Sequence, residues 1–235
     1  MNVRLTAHAV GIADRLELCD LAFDAGSVTM LVGPNGAGKT SLLHALVGLP
    51  GSSGKVFVDG DDVGALSPVQ RIRHLAFLGA SRDVRWPLCA RDFIALGLPE
   101  HSQPDIIDQV LNSLEAEALA DRRLDHLSTG ERSRVMIARA LVSQSGTLLL
   151  DEPIANLDPK WQLAILARLR AEADNGAAVI LSIHDLELAR QHGDRVIVID
   201  KGKLVSDGSP FETLSEPIIA DIFGVTRHGD RWVRV

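Results

Sequence analysis

Several common features are missing from this 235-residue chain. There are only two cysteines, Cys19 and Cys89, far apart in sequence and without metal-ligand spacing. This excludes a cysteine metal site and gives no basis for a disulfide framework; reduced thiols are the default. A basic excess is also missing. Against 31 acidic residues stand 24 basic ones, for a net charge of −7, which disfavours a nucleic-acid partner. No apolar run approaches the ~20 residues needed to cross a bilayer, and Met1–Val10 carries no apolar core of a secretory signal. Any membrane role is therefore expected through a partner. Neither an internal repeat nor a low-complexity tract occurs. With 46% hydrophobic and 23% charged residues, the chain has the composition of a globular protein able to bury a sizeable core.

What is present centres on Gly33-Pro34-Asn35-Gly36-Ala37-Gly38-Lys39-Thr40, followed by Ser41. Apolar Val28–Val32 precedes it as a buried strand. Ser41–Val47 follows as a helix stopped by Gly48. Strand, glycine-rich turn, lysine, hydroxyl residue and helix make a phosphate-binding loop. The glycines let successive N–H groups turn inward around an anion, and the helix N-terminus adds partial positive charge. Lys39 is placed to reach the β- and γ-phosphates, and Thr40 to help hold Mg²⁺.

Loose alternation over residues 3–12 and 16–23 predicts strands of a half-exposed sheet. Gly51–Gly54 reads as a flexible link before a strand at Lys55–Val58. Ser67-Pro68 opens a short helix with Ser67 as N-cap, and Leu75–Leu78 is a short buried strand. Between about 80 and 145 the pattern turns helical, with Ala90–Leu98 and Asp105–Ala120 as helices. Strand signals return at Thr147–Leu150 and Val179–Ile183. Between them a helix starts at Asp158-Pro159, a clean cap and first position, and ends near Gly176. Val196–Val205 reads as a hairpin about Lys201-Gly202, and Ser215–Phe223 as a last helix stopped by Gly224. Strands alternating with helices predict an α/β fold with a mostly parallel sheet and crossovers.

Two further stretches carry chemistry. Leu148–Leu150 runs into Asp151-Glu152, acids at the strand end where ligands bind in open α/β sheets. Asp151 is placed to bind Mg²⁺ through water, and Glu152 to orient or deprotonate an attacking water. Leu127-Ser128-Thr129-Gly130-Glu131 precedes a helical pattern through Leu141. Ser128 and Glu131 form a capping box, and the same N-terminus can present Ser128 Oγ and the Gly130 N–H to a phosphate.

In this order the motifs strongly resemble the nucleotide-binding subunit of ATP-binding cassette (ABC) transporters. The resemblance covers nearly the whole chain. It comprises the phosphate loop at 33–40, the signature at 127–131 with Thr129 replacing a glycine, and the acidic strand end at 148–152. Ala155-Asn156-Leu157-Asp158 then matches the D-loop, and His184 the switch histidine. It implies a phosphate-loop nucleotide-binding core (residues 1–79 and 146–235) with an antiparallel N-terminal subdomain, and a helical subdomain (80–145) carrying the signature. It further implies ATP and Mg²⁺ as cofactors and a homodimer paired head to tail, in which Ser128, Thr129, Gly130 and Glu131 of one copy close over ATP held by Lys39 of the other. Glu152 and His184 become catalytic residues and Asp158 a D-loop contact. The partners implied are transmembrane permease subunits and, indirectly, a substrate-binding protein, with the chain at the cytoplasmic face of the inner membrane. Trp86–Gly97, Asp207–Pro210 and Ile218–Val225 resemble importers of iron chelates, haem and cobalamin.

Two departures stand out. Ala80 occupies the position where the family usually has a Gln touching Mg²⁺ and water. No tyrosine occurs and no aromatic precedes Phe23, so the usual adenine-stacking ring is missing and base recognition is expected to be loose; Arg15 is an alternative stacking group, though a solvated arginine is the simpler reading. Rival readings are a soluble ABC ATPase acting on DNA or ribosomes, and a regulatory module with little turnover. The first lacks its usual second cassette or coiled-coil insert; Glu152 and His184 weigh against the second.

Overall fold

A computed structural model describes residues 2–81, 86–100, 102–103, 105–228 and 231–235. The chain opens with β1 (Val3–Ile12), β2 (Leu16–Asp24), β3 (Ser27–Val32), α1 (Lys39–Val47), β4 (Ser52–Val58), β5 (Asp61–Asp62), α2 (Pro68–His74) and β6 (Leu75–Leu78). Helices α3 (Ala90–Ala95), α4 (Ile106–Ser113) and α5 (Thr129–Leu141) follow. Then come β7 (Thr147–Leu150), α6 (Pro159–Asp174), β8 (Ala178–Ser182), α7 (Leu186–His192), β9 (Arg195–Asp200), β10 (Lys203–Gly208), α8 (Pro210–Thr213), α9 (Glu216–Phe223), β11 (Val225–His228) and β12 (Arg231–Arg234).

Two sheets organise the described residues. One runs β10-β9-β3-β8-β7-β6, parallel from β9 to β6, with β10 antiparallel at its edge. The other, β2-β1-β4-β5, is antiparallel. The fold is thus α/β, with a mostly parallel sheet and an antiparallel N-terminal one. The central strands are mostly apolar because both faces are covered. Met30, Leu148, Leu150, Val179 and Leu181 point into the core shared with α3–α6. The alternate residues Leu31, Leu149 and Ile180 point into the core shared with α1 and the antiparallel sheet. Strand alternation thereby splits one apolar run between two cores.

Several elements differ from the sequence pattern. Ser52–Gly54 is strand, not a flexible link: Ser52 and Ser53 pair with Ile12 and Gly11 of β1, and cross-strand pairing overrides their weak propensity. Helix α3 ends at Ala95, short of Leu98. The stretch Asp105–Ala120 is not one helix. Its first half is α4, Glu115 takes φ 47°, and a 3₁₀ turn follows at Glu117–Leu119. Arg134 from α5 explains the break: its Nη1 donates to the Glu115 carbonyl at 2.9 Å, while its guanidinium stacks 3.8 Å above the Trp161 ring of α6. Asp158 precedes α6 at the N-cap, but its side chain accepts no capping bond and lies exposed; Pro159 alone sets the start. The hairpin β11–β12 after Gly224 had no counterpart in the sequence reading. Residues 82–85, 101 and 104 of the expected helical lobe lie outside the described residues.

Candidate nucleotide-binding site

Parallel register brings the chemistry to one edge of the sheet. Leu78 pairs with Leu150, Leu150 with Leu181, and Leu31 with Ser182. The residues that follow these strands therefore emerge side by side: Gly33, Gly79-Ala80, Asp151-Glu152 and Ile183-His184. Backbone bonds fasten the edge, from the Asp151 N–H to the Leu78 carbonyl (2.7 Å) and from the Ile183 N–H to the Leu31 carbonyl (3.0 Å).

The loop after β3 wraps a cavity of about 470 Å³, lined by residues 35–41 together with Arg15, Glu152 and Lys201. Gly33 passes so close to the hairpin strand β9 that a Cβ there would lie 2.1 Å from the Ile199 carbonyl oxygen. Gly38 starts α1 at φ 114°, a conformation that side chains resist. The turn Lys201-Gly202 is stitched to the loop: the Gly202 N–H donates to the Ala37 carbonyl at 2.8 Å, and the Glu17 N–H to the Gly202 carbonyl at 2.8 Å. Lys39 is buried, and its Nζ donates to the carbonyls of Gly33 (2.7 Å) and Pro34 (3.1 Å). Burial lowers its pKa, opposed by the nearby Glu152 and Asp151 charges. Thr40 is exposed to the cavity, and Pro34 and Ser41 are half-buried beside it.

Asp151 is fully buried at the edge. Ser182 holds it: the Ser182 hydroxyl donates to Asp151 Oδ1 at 2.6 Å and accepts from the Glu152 N–H at 2.8 Å. Glu152 sits at φ 49°, a left-handed conformation that non-glycine residues adopt at a cost. Its Oε1 accepts from His184 Nε2 at 2.5 Å. Ser182 is thus a site residue that the motif reading passed over. Its signal was one hydroxyl ending an otherwise apolar strand, Ala178–Leu181.

The signature residues form a second, separate feature. Ser128 caps α5; its Oγ accepts from the Glu131 N–H (3.3 Å), and its own N–H donates to Glu131 Oε2 (2.8 Å). Ser128 and Thr129 are exposed and Gly130 is half-buried. A Cβ on Gly130 would lie 3.5 Å from Leu157, so the signature adjoins the Ala155–Asp158 loop. None of Ser128, Thr129, Gly130, Glu131 or Asp158 lines the cavity around Lys39. Ala80 lies exposed just past β6, and its methyl side chain has no donor atom to offer a metal.

The donor set fits a polyphosphate with a hard cation. The loop offers backbone N–H groups and Lys39, and Thr40 and buried Asp151 are oxygen ligands of the kind Mg²⁺ takes. Among the described residues there is no cluster of three or more His, Cys, Asp or Glu that could hold a metal ion.

This sheet, loop and acidic strand end define the class: a phosphate-loop ATPase of the ABC type. The family model described as "ABC transporter" matches residues 16–155, more than half of the chain, and the chain belongs to that family as a transport ATPase. The hemin import ATP-binding protein HmuV of Nocardia farcinica is 38% identical over 217 residues, covering 88% of this chain and 75% of the relative. A solved ATP-binding subunit of an ABC transporter superposes with a TM-score of 0.78 at 22% identity, covering 88% of this chain and 90% of that one. An ATP-binding cassette solved as a post-hydrolysis dimer with ADP and Pi superposes at 0.75 and 21% identity, covering 88% and 98%.

Proposed function

We propose that this chain powers import of haem or a related iron chelate through a membrane permease, by closing head to tail on ATP with a second copy. The observation that carries the reading is the separation of the two phosphate-facing features. The cavity at Lys39 and the capped N-terminus at Ser128 are each built, yet the second does not line the first. A second copy brings them together. The haem assignment draws on the relative's name and on the Trp86–Gly97 segment, and the pairing on the dimeric cassette of the same fold. Cobalamin or a siderophore remains the alternative cargo, tested by which substrate-binding protein stimulates the ATPase.

In this reading Lys39 and the N–H groups of residues 36–40 hold the β- and γ-phosphates. Thr40 and, through water, Asp151 would hold Mg²⁺, which supplies charge neutralisation on the phosphates. Glu152 orients the attacking water and accepts its proton, and His184 holds the Glu152 carboxylate. Ser128 and the Gly130 N–H meet the γ-phosphate from the partner copy, and Asp158 contacts that copy across the interface. Residues 80–145 act as a lobe that relays opening and closing to the permease. Among the described residues no helix is long and apolar enough to cross a membrane; the chain is assigned to the cytoplasmic face of the inner membrane by that association.

The test is Glu152→Gln. It is expected to lower ATP turnover at least a hundredfold, about 2.7 kcal/mol in the barrier, while ATP now traps a dimer on size exclusion. Turnover near wild type, or no dimer with ATP, refutes the reading.

A further inference from the structure

The capping box of α5 places a carboxylate where a phosphate is to arrive. Glu131 Oε2 accepts from the Ser128 N–H at 2.8 Å, within the same first turn whose N–H groups face the incoming anion. Left alone, that charge opposes an anion at the helix N-terminus. Arg122 answers it. Its Nη1 lies 2.5 Å from Glu131 Oε1, and its Nη2 donates to the His126 carbonyl at 3.1 Å, which fixes the guanidinium plane. The backbone is fixed too: the Arg122 carbonyl accepts from the Ala90 N–H, at 2.9 Å, at the start of α3. Arg122 is nearly half exposed, with 44% of its side-chain surface free, and an exposed pair of this kind adds little to stability. Its removal is therefore expected to cost little stability.

We propose that Arg122 is a positioning residue of the signature half-site, cancelling the Glu131 charge so that a carboxylate-bearing capping box can receive the polyphosphate of a second copy. This rests on the head-to-tail reading above. Arg122 touches no substrate; it acts through Glu131.

The experiment uses the full-length chain in the Glu152→Gln background and measures, by sedimentation velocity, the ATP concentration giving half-maximal dimer. Arg122→Met is expected to raise that concentration about tenfold, equivalent to ~1.4 kcal/mol. Its melting temperature is expected to stay within about 2 °C of the parent. Adding Glu131→Gln to Arg122→Met is expected to reverse the loss to within about threefold of the parent. If Arg122→Met leaves the ATP requirement unchanged, or the double variant stays as impaired as Arg122→Met, the proposal is overturned. Gly130→Asp separates the two readings. If it dimerises on ATP like the parent, or if the parent itself does not dimerise, the head-to-tail reading fails. If Gly130→Asp abolishes the dimer while Arg122→Met is silent, only the role of Arg122 fails.

Discussion

Removing one hydroxyl, in Ser182→Ala, tests how the site is held together. Ser182 is fully buried, and its Oγ serves two neighbours at once. The bond donated to the Asp151 carboxylate is charge-assisted and worth about 1.5–3 kcal/mol, and the one accepted from the Glu152 N–H about 0.5–1.5 kcal/mol. The cavity left by one oxygen is small and adds little to this loss. Folding stability is therefore expected to fall by about 2–4 kcal/mol, or roughly 4–16 °C in Tm for a domain of this size. The second bond also matters for chemistry. It ties down the backbone of Glu152 beside its left-handed φ of 49°, so losing it lets that residue relax toward ordinary geometry. We expect kcat to fall about tenfold, from ~1.4 kcal/mol of lost positioning, with KM for ATP nearly unchanged because the loop and Lys39 are untouched. Thermal unfolding by circular dichroism and steady-state phosphate release measure the two effects. A variant that melts within about 1 °C of wild type and turns over at the wild-type rate would refute the reasoning.

Two more predictions follow from the same geometry. Beyond the phosphate loop the cavity wall is made by Asp14, Arg15 and Lys201, all exposed, and carries no aromatic ring, so GTP is expected to compete with ATP within about tenfold; a hundredfold preference for ATP, roughly 2.7 kcal/mol, measured by competition binding, sinks that inference. The Glu131 carboxyl is held below its ordinary pKa, first by the Ser128 N–H and then by Arg122. A depressed carboxylate contributes stability that is present above its ordinary pKa and is lost as pH falls through the folded value. The melting-temperature gap between wild type and Glu131→Gln is accordingly expected to be constant at neutral pH and to change only below the ordinary carboxylate range; a gap that varies between pH 6 and 8 contradicts it.

Much of this protein was legible from spacing alone. The run Gly33–Thr40 between an apolar strand and a helix, the acids ending Leu148–Leu150, and the Ser128…Glu131 box are local patterns, each set by neighbours within a few residues. Strand β8 and the hairpin at Lys201-Gly202 were readable for the same reason. What failed was whatever depends on distant partners. Ser52–Gly54 became strand because β1 offered pairing, and Asp105–Ala120 broke because Arg134, nineteen residues after Glu115, holds its carbonyl. Ser182 gained its role only when parallel pairing set β7 and β8 side by side, and Arg122 only when the chain folded its guanidinium back onto Glu131. The sequence by itself determined which groups could bind phosphate and which could cap a helix, since those are properties of a single turn of backbone. The tertiary structure decided that Lys39, Asp151, Glu152 and His184 share one sheet edge while Ser128 caps a helix outside the cavity around Lys39, because strand register and helix packing are fixed by contacts across the whole chain.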